Sequence, residues 1–257
     1  MLDAERRQRI VALVERDNGA TVGQLSKQFG VSDATVRRDL LHLSQRGLIE
    51  RAHGGAAPRR GRHLHGLPEP PLLKRALVET EAKRRIAAAA AATVVDGETI
   101  IVAGGTTTAE MAGHLAERRR LTVLTNALNI ALLLAPHPGL TVIVLGGAVR
   151  QTELTMHGSL AEDALVNLRA AKLFYGTPAL HAGHGLSVHN LAEAQTDRAL
   201  MAAAEQVVVL ADHTKFGQIT TMRVAPIARV HRVITDLQAP AEEVAILREH
   251  GVIVDLV

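Results

Sequence analysis

Between Pro58 and Pro71 the chain carries four prolines, two glycines and three arginines, a stretch too poor in apolar residues to build a core and too rich in proline to continue a helix or strand. That stretch divides the 257 residues into a short front piece and a longer body, and each side has its own hydrophobic periodicity. Three segments are expected: residues 1–57, a linker over 58–71, and a second domain over 72–257.

The front piece reads as three short helices. Asp3 to Arg16 places Ile10, Leu13 and Val14 on one side, and Val22 to Phe29 and Asp33 to Ser44 follow after brief turns. Thr21 with Gln24 three residues on predicts a capping box, Gly30 a left-handed helix end, and Ser32 the next N-cap. In the third helix Val36, Leu40 and Leu43 share a face. Ala34, Thr35, Arg38 and His42 then point away from it, with Arg37 on the flank. After Gly47 the residues Leu48 to Ala56 read as a hairpin turned by Gly54-Gly55, and Arg51 and His53 lie on its arms.

Charge supports a polyanion partner for this piece. Residues 1–75 hold 14 Lys and Arg against 8 Asp and Glu in a chain whose net charge is +3, so the remainder is net acidic. Short side chains at a helix start with arginines beside them suit the DNA major groove, although a plain three-helix bundle with solvated arginines has the same pattern.

The run VSDATVRRDLLHLSQRGLIERAHGGA, Val31 to Ala56, closely resembles the signature of DeoR-type transcription regulators. The resemblance implies a winged helix-turn-helix in which Ser32, Thr35, Arg37 and Arg38 meet double-stranded DNA, with Arg51, His53, Gly54 and Gly55 in the wing. It also implies a homo-oligomer, a dimer or tetramer, since helix-turn-helix heads pair on matched half-sites.

In the body, apolar runs at Thr99–Val102, Leu121–Leu124, Thr141–Leu145, Lys172–Tyr175, Val207–Leu210, Val230–Thr235 and Val252–Val254 alternate with helical stretches. This pattern predicts an α/β domain with a mostly parallel sheet covered by helices. A helix over Leu72 to Val95, containing six consecutive alanines at Ala87 to Ala92, is expected to cross one face.

The first of these strands runs into Gly104-Gly105-Thr106-Thr107-Thr108 ahead of a helix. Glycines permit close backbone approach, and the helix N-terminus and hydroxyls supply donors, so a phosphate fits there, as would a plain capped turn. Thr125-Asn126, Gly146-Gly147, Gly176 and Asp212 through Lys215 also follow predicted strands, at the edge where open α/β sheets collect ligands. Lys215 is the candidate phosphate partner, Asn126 and Asp212 the candidates for sugar hydroxyls.

Lys83 to Asp236 likewise resembles the DeoR sensor domain through KRRIAAAA, DGETI, GGTTT, LTNALNIA, LGGAVR, His157-Gly158 and ADHTKFG. That resemblance implies a fold similar to ribose-5-phosphate isomerase, a phosphorylated sugar as effector with its phosphate at Gly105 to Thr108, and a repressor of carbohydrate genes that needs no cofactor. The chain departs from the family pattern at Ala103-Gly104 and in YGTPALH, so the sugar itself is not legible.

Two other function classes make different demands on the sequence. An isomerase-like enzyme requires a positioned carboxylate base, and Gly176 to Leu180 offers none. A scaffold protein would bind neither DNA nor ligand. His181, His184 and His189 match no zinc spacing, and the absence of cysteine rules out thiolate metal sites and disulfides. No leader or membrane-length apolar run is visible, which points to the cytoplasm.

Overall fold

A computed structural model describes residues 3–17, 19–45, 49–52, 54–57 and 70–257. The chain divides into two compact units, Met1–His63 and Leu64–Val257.

In the first unit, helices α1 (Asp3–Arg16), α2 (Val22–Phe29) and α3 (Asp33–Gln45) enclose a core of Ile10, Val14, Leu25, Val36, Leu40 and Ile49. The expected capping box at Thr21 and Gln24 is present, and Gly30 ends α2 at φ 64°. Strands β1 (Ala20–Thr21), β2 (Glu50–Ala52) and β3 (Gly55–Ala57) form an antiparallel sheet in the order β1-β3-β2. Two residues before a helix leave no periodicity to read, so β1 escaped the sequence. Gly55 is required by it: a Cβ there would lie 2.2 Å from the Ala20 carbonyl oxygen.

The second unit begins with α4 (Leu72–Ala76), α5 (Thr80–Ala92), β4 (Thr99–Val102), α6 (Thr106–Gly113), β5 (Leu121–Thr125), α7 (Leu128–Leu134) and β6 (Leu140–Val144). It continues through β7 (Ala148–Arg150), β8 (Thr155–His157), α8 (Ser159–Val166), β9 (Ala170–Gly176), β10 (Ala179–His181) and β11 (Gly185–Val188). The last elements are α9 (Leu191–Ala202), β12 (Ala204–Leu210), β13 (Met222–Ala225), β14 (Arg232–Thr235), α10 (Ala241–Glu249) and β15 (Ile253–Leu256).

Seven of these strands form one sheet, ordered β15-β14-β12-β9-β4-β5-β6, and every neighbouring pair is parallel. Each corresponds to one of the seven apolar runs. Side chains alternate between faces: Ile100, Val102, Phe174 and Val208 pack with α5, α6 and α7, while Ile101, Leu173, Val207 and Val209 pack with α8, α9 and α10. Burial on both faces explains why the interior strands β4, β5, β9, β12 and β14 read as apolar runs, while the edge strands β6 and β15 leave Ile143, Val144, Ile253 and Leu256 exposed.

The helix expected over Leu72 to Val95 is interrupted. α4 stops at Ala76, Glu79 takes φ 52°, and α5 starts at Thr80. Nζ of Lys83 donates to the carbonyls of Arg75, at 2.6 Å, and Val78, holding the end of α4 across the break. Apolar periodicity cannot register such a cation on carbonyls. The hairpin β7–β8 and the small antiparallel sheet β10-β11-β13 were also unexpected.

Candidate functional site

In the first unit, burial sets the rotation of α3. Val36, Leu40 and Leu43 are 0%, 1% and 3% exposed. Each buried side chain is worth roughly 1.5–3 kcal/mol, which exceeds what solvating the other face returns. Arg37 and Arg38 are therefore exposed, and neither forms an ion pair among the described residues. Ser32 is exposed and its hydroxyl lies 3.3 Å from the Thr35 amide, capping the helix start, while Thr35 and His42 are half-buried. Arg51 and Gly54 are exposed on the three-stranded sheet, Gly54 at φ 81°. His53 lies outside the described residues, as does the linker over residues 58–69.

α3 is locked in place by a buried carboxylate. Asp39, 1% exposed, accepts from Nε of Arg6 and Nε of Arg7, each at 2.7 Å. Burial alone would raise the Asp39 pKa, but the two guanidiniums outweigh it and hold the carboxyl below its ordinary range. Two arginine donors on α1 and one buried carboxylate on α3 thus orient the helix that presents Arg37 and Arg38.

In the second unit the strand order reverses beside β4. From β4 the chain moves outward through β5 and β6, then returns to β9 on the other side of β4 and moves outward again through β12, β14 and β15. The loops after β4 and β9 diverge to opposite faces, which opens a crevice at their carboxyl ends. A cavity of about 220 Å³ occupies it.

Seven of the predicted residues line this cavity: Gly104, Gly105, Thr106, Thr107, Gly176, Asp212 and Lys215. α6 starts at Thr106 with no side-chain cap, so its first-turn amides have no internal acceptor from a capping residue and favour an anion. Asp212 caps the turn His213–Lys215 by accepting from the Thr214 amide at 3.0 Å, and that turn carries Lys215 to the cavity.

The other predicted residues lie off the wall. Thr108 is fully buried and donates to the Gly105 carbonyl at 3.1 Å, and Thr125 is fully buried and accepts from the Ala127 amide. Asn126 braces the glycine loop, its Oδ1 accepting from the Gly104 amide at 3.2 Å. Gly146 and Gly147 lead into the β7–β8 hairpin, where a Cβ on Gly147 would lie 2.5 Å from the His157 carbonyl oxygen.

Sequence reasoning missed the charged residues that complete the wall: Arg75, Lys83, Glu153 and Glu193. Arg75 pairs with Glu153, and Arg150 pairs with Glu193. Lys83 is 5% exposed. Burial lowers its pKa, Asp212 opposes the shift, and the positive charges of Lys215 and Arg75 add to it. Repulsion among these cations is relieved by an anion in the cavity. Only the family motif KRRIAAAA had marked Lys83, and nothing in its local pattern gave it a role.

Residues 6–59 match the DeoR-like helix-turn-helix domain family, and residues 78–237 match the DeoR C terminal sensor domain family. The chain belongs to the DeoR family. This membership decides between the readings left open by the sequence, in favour of a DNA-binding transcription regulator over an isomerase-like enzyme or a scaffold. Among similar proteins is the HTH-type transcriptional regulator GlpR of Haloferax volcanii, 34% identical over 256 residues, covering 99% of this chain and 98% of that one. Another is the glycerol-3-phosphate regulon repressor of Escherichia coli K12, 29% identical over 260 residues and the full length of both. Among solved structures, a D-ribose-5-phosphate isomerase in complex with phospho-erythronic acid overlaps 53% of this chain and 54% of that one, at 17% identity and TM-score 0.41. Among the described residues, no helix of this DeoR-family regulator is long and apolar enough to cross a membrane.

Proposed function

We propose that this regulator represses carbohydrate genes and releases its operator when a phosphorylated sugar occupies the cavity at the strand-order reversal. The head over residues 1–57 binds double-stranded operator DNA through α3, with Arg37 and Arg38 on phosphates or guanine edges and Arg51 on the backbone beside them. A linker over 58–71 joins it to the sensor, residues 72–257. The protein acts as a homo-oligomer in the cytoplasm and uses no cofactor.

One observation carries the effector assignment: the uncapped start of α6 shares its cavity with Lys83 and Lys215. Helix-terminal amides and two ammonium groups make a site for a phosphate, and the glutamates and Asp212 on the same wall supply acceptors for hydroxyls. Ligand binding favours release only if the effector binds the DNA-incompetent arrangement more tightly.

A thermal-shift panel of hexose and pentose monophosphates on the full chain tests the reading, paired with operator gel shifts. At a ligand concentration of 100 times Kd the gain is about 2.7 kcal/mol, a rise of roughly 5–10 °C for a domain of this size. Lys215→Ala is expected to lose most of that rise and to stay on the operator when ligand is added. If no phosphorylated sugar stabilises the wild type, the assignment fails.

A further inference from the structure

Behind the glycine-threonine loop lies a second, much smaller chamber of about 20 Å³. It shares Gly104, Glu153, Gly176 and Glu193 with the wall of the main cavity and is closed by Asn126, Thr155, His157, Tyr175 and Asp197. That volume admits one oxygen-sized group.

Two of its lining residues each carry a buried polar atom without a partner. Glu153, its side chain 8% exposed, spends Oε2 on Arg75 and leaves Oε1 without a hydrogen bond. His157, 7% exposed, uses Nε2 on the Thr155 hydroxyl at 2.7 Å and leaves Nδ1 without one. Orphaned buried groups cost stability unless something fills them.

We infer that this chamber is a hydroxyl-recognition subsite, which makes the effector a monophosphate carrying a free hydroxyl that enters between Glu153 and His157. The inference rests on the sensor reading proposed above. A carboxylate can only accept, so the hydroxyl donates to Glu153 Oε1. Its oxygen then accepts from Nδ1–H of His157, and that tautomer leaves Nε2 to accept from the Thr155 hydroxyl. Both orphaned atoms are thereby satisfied.

The alternatives fit less well. A carboxylate or second phosphate would face Glu153 without a proton to share. An ammonium would enter where Arg75 and Arg150 already neutralise the glutamates. Burial and the charge of Arg150 also keep the imidazole uncharged, its pKa lowered to about 4, and they oppose any other cation there.

Isothermal titration of the full chain with inorganic phosphate, and with the tightest sugar monophosphate of a pentose and hexose panel, provides the test. Each hydroxyl of that sugar is then removed in turn as a monodeoxy analogue. One analogue is expected to lose about 10- to 100-fold in affinity, the range for a hydrogen bond to a charged group. His157→Phe should erase that difference while binding inorganic phosphate as the wild type does. If His157→Phe does not fold, the deoxy series on the wild type decides the matter and needs no variant at all.

Equal binding of every deoxy analogue overturns the inference and leaves the chamber to a water, with the sensor reading intact. An aminated analogue that binds more tightly than its hydroxylated parent overturns it as well. If neither inorganic phosphate nor any sugar monophosphate binds, the sensor reading fails and the subsite falls with it.

Discussion

A Cβ on Gly104 would lie 2.1 Å from Cγ2 of Thr155, so the glycine loop after β4 and the strand β8 can meet only because one of them has no side chain. Thr155 is 6% exposed and its hydroxyl is engaged by His157, so the methyl cannot rotate away without losing that bond. Gly104→Ala is therefore expected to destabilise the sensor by about 1–3 kcal/mol, the usual cost of overpacking. Thr155→Ser removes the offending methyl and keeps the hydroxyl. The double variant should recover most of the loss in a urea melt, whereas independent effects would simply add.

Asp39 sits between Arg6 and Arg7 with almost no solvent. Asp39→Ala takes the shared carboxylate from two guanidiniums, one of them buried, and is expected to destabilise the DNA-binding unit by about 3–5 kcal/mol. Hydrogen exchange of the α1 and α3 amides in the full chain measures it. Because the folded pKa of Asp39 is depressed, its contribution is present above the unfolded carboxylate range and fades as pH falls through the folded value. A variant as stable as the wild type would remove the lock from α3.

His157 titrates in the opposite chemical sense with the same direction of pH dependence. Its pKa is lowered from 6.5 to about 4, so the unfolded chain binds the proton first. Sensor stability should be at full strength above pH 6.5 and decline by up to about 3 kcal/mol as pH falls toward 4. His157→Gln cannot titrate and should flatten that part of the profile. A wild-type melting temperature that stays level from pH 7 to pH 5 contradicts the buried neutral imidazole.

Arg38 is expected to act on DNA through charge. Arg38→Ala should weaken operator binding and reduce the slope of log K against log salt by about one, the signature of one lost phosphate contact. Fluorescence anisotropy at several salt concentrations reads both quantities. Unchanged affinity and slope would place the contact surface elsewhere.

Much of this molecule is written in local pattern. The three helices of the head, the cap at Thr21, the left-handed end at Gly30 and the outward arginines all follow from spacings of three and four residues. The seven apolar runs, alternating with helical stretches, announce seven parallel strands, since an interior strand covered by helices on both faces is apolar throughout. Gly104 to Thr107 signals an anion site because its chemistry is contiguous in the chain.

Tertiary structure alone decided which loops meet. Nothing local states that β9 returns beside β4, and that single adjacency places Gly176 opposite Gly105 and opens the cavity. Nor does local pattern reveal that Lys83 spans the break between α4 and α5, or that Glu153 and His157 stand behind the glycine loop. A charged residue's role depends on which partners are buried with it, and for Glu153 that partner, Arg75, arrives from 78 residues away. Periodicity records which face of an element is dry, whereas strand order and buried pairing are long-range choices that only the folded chain makes.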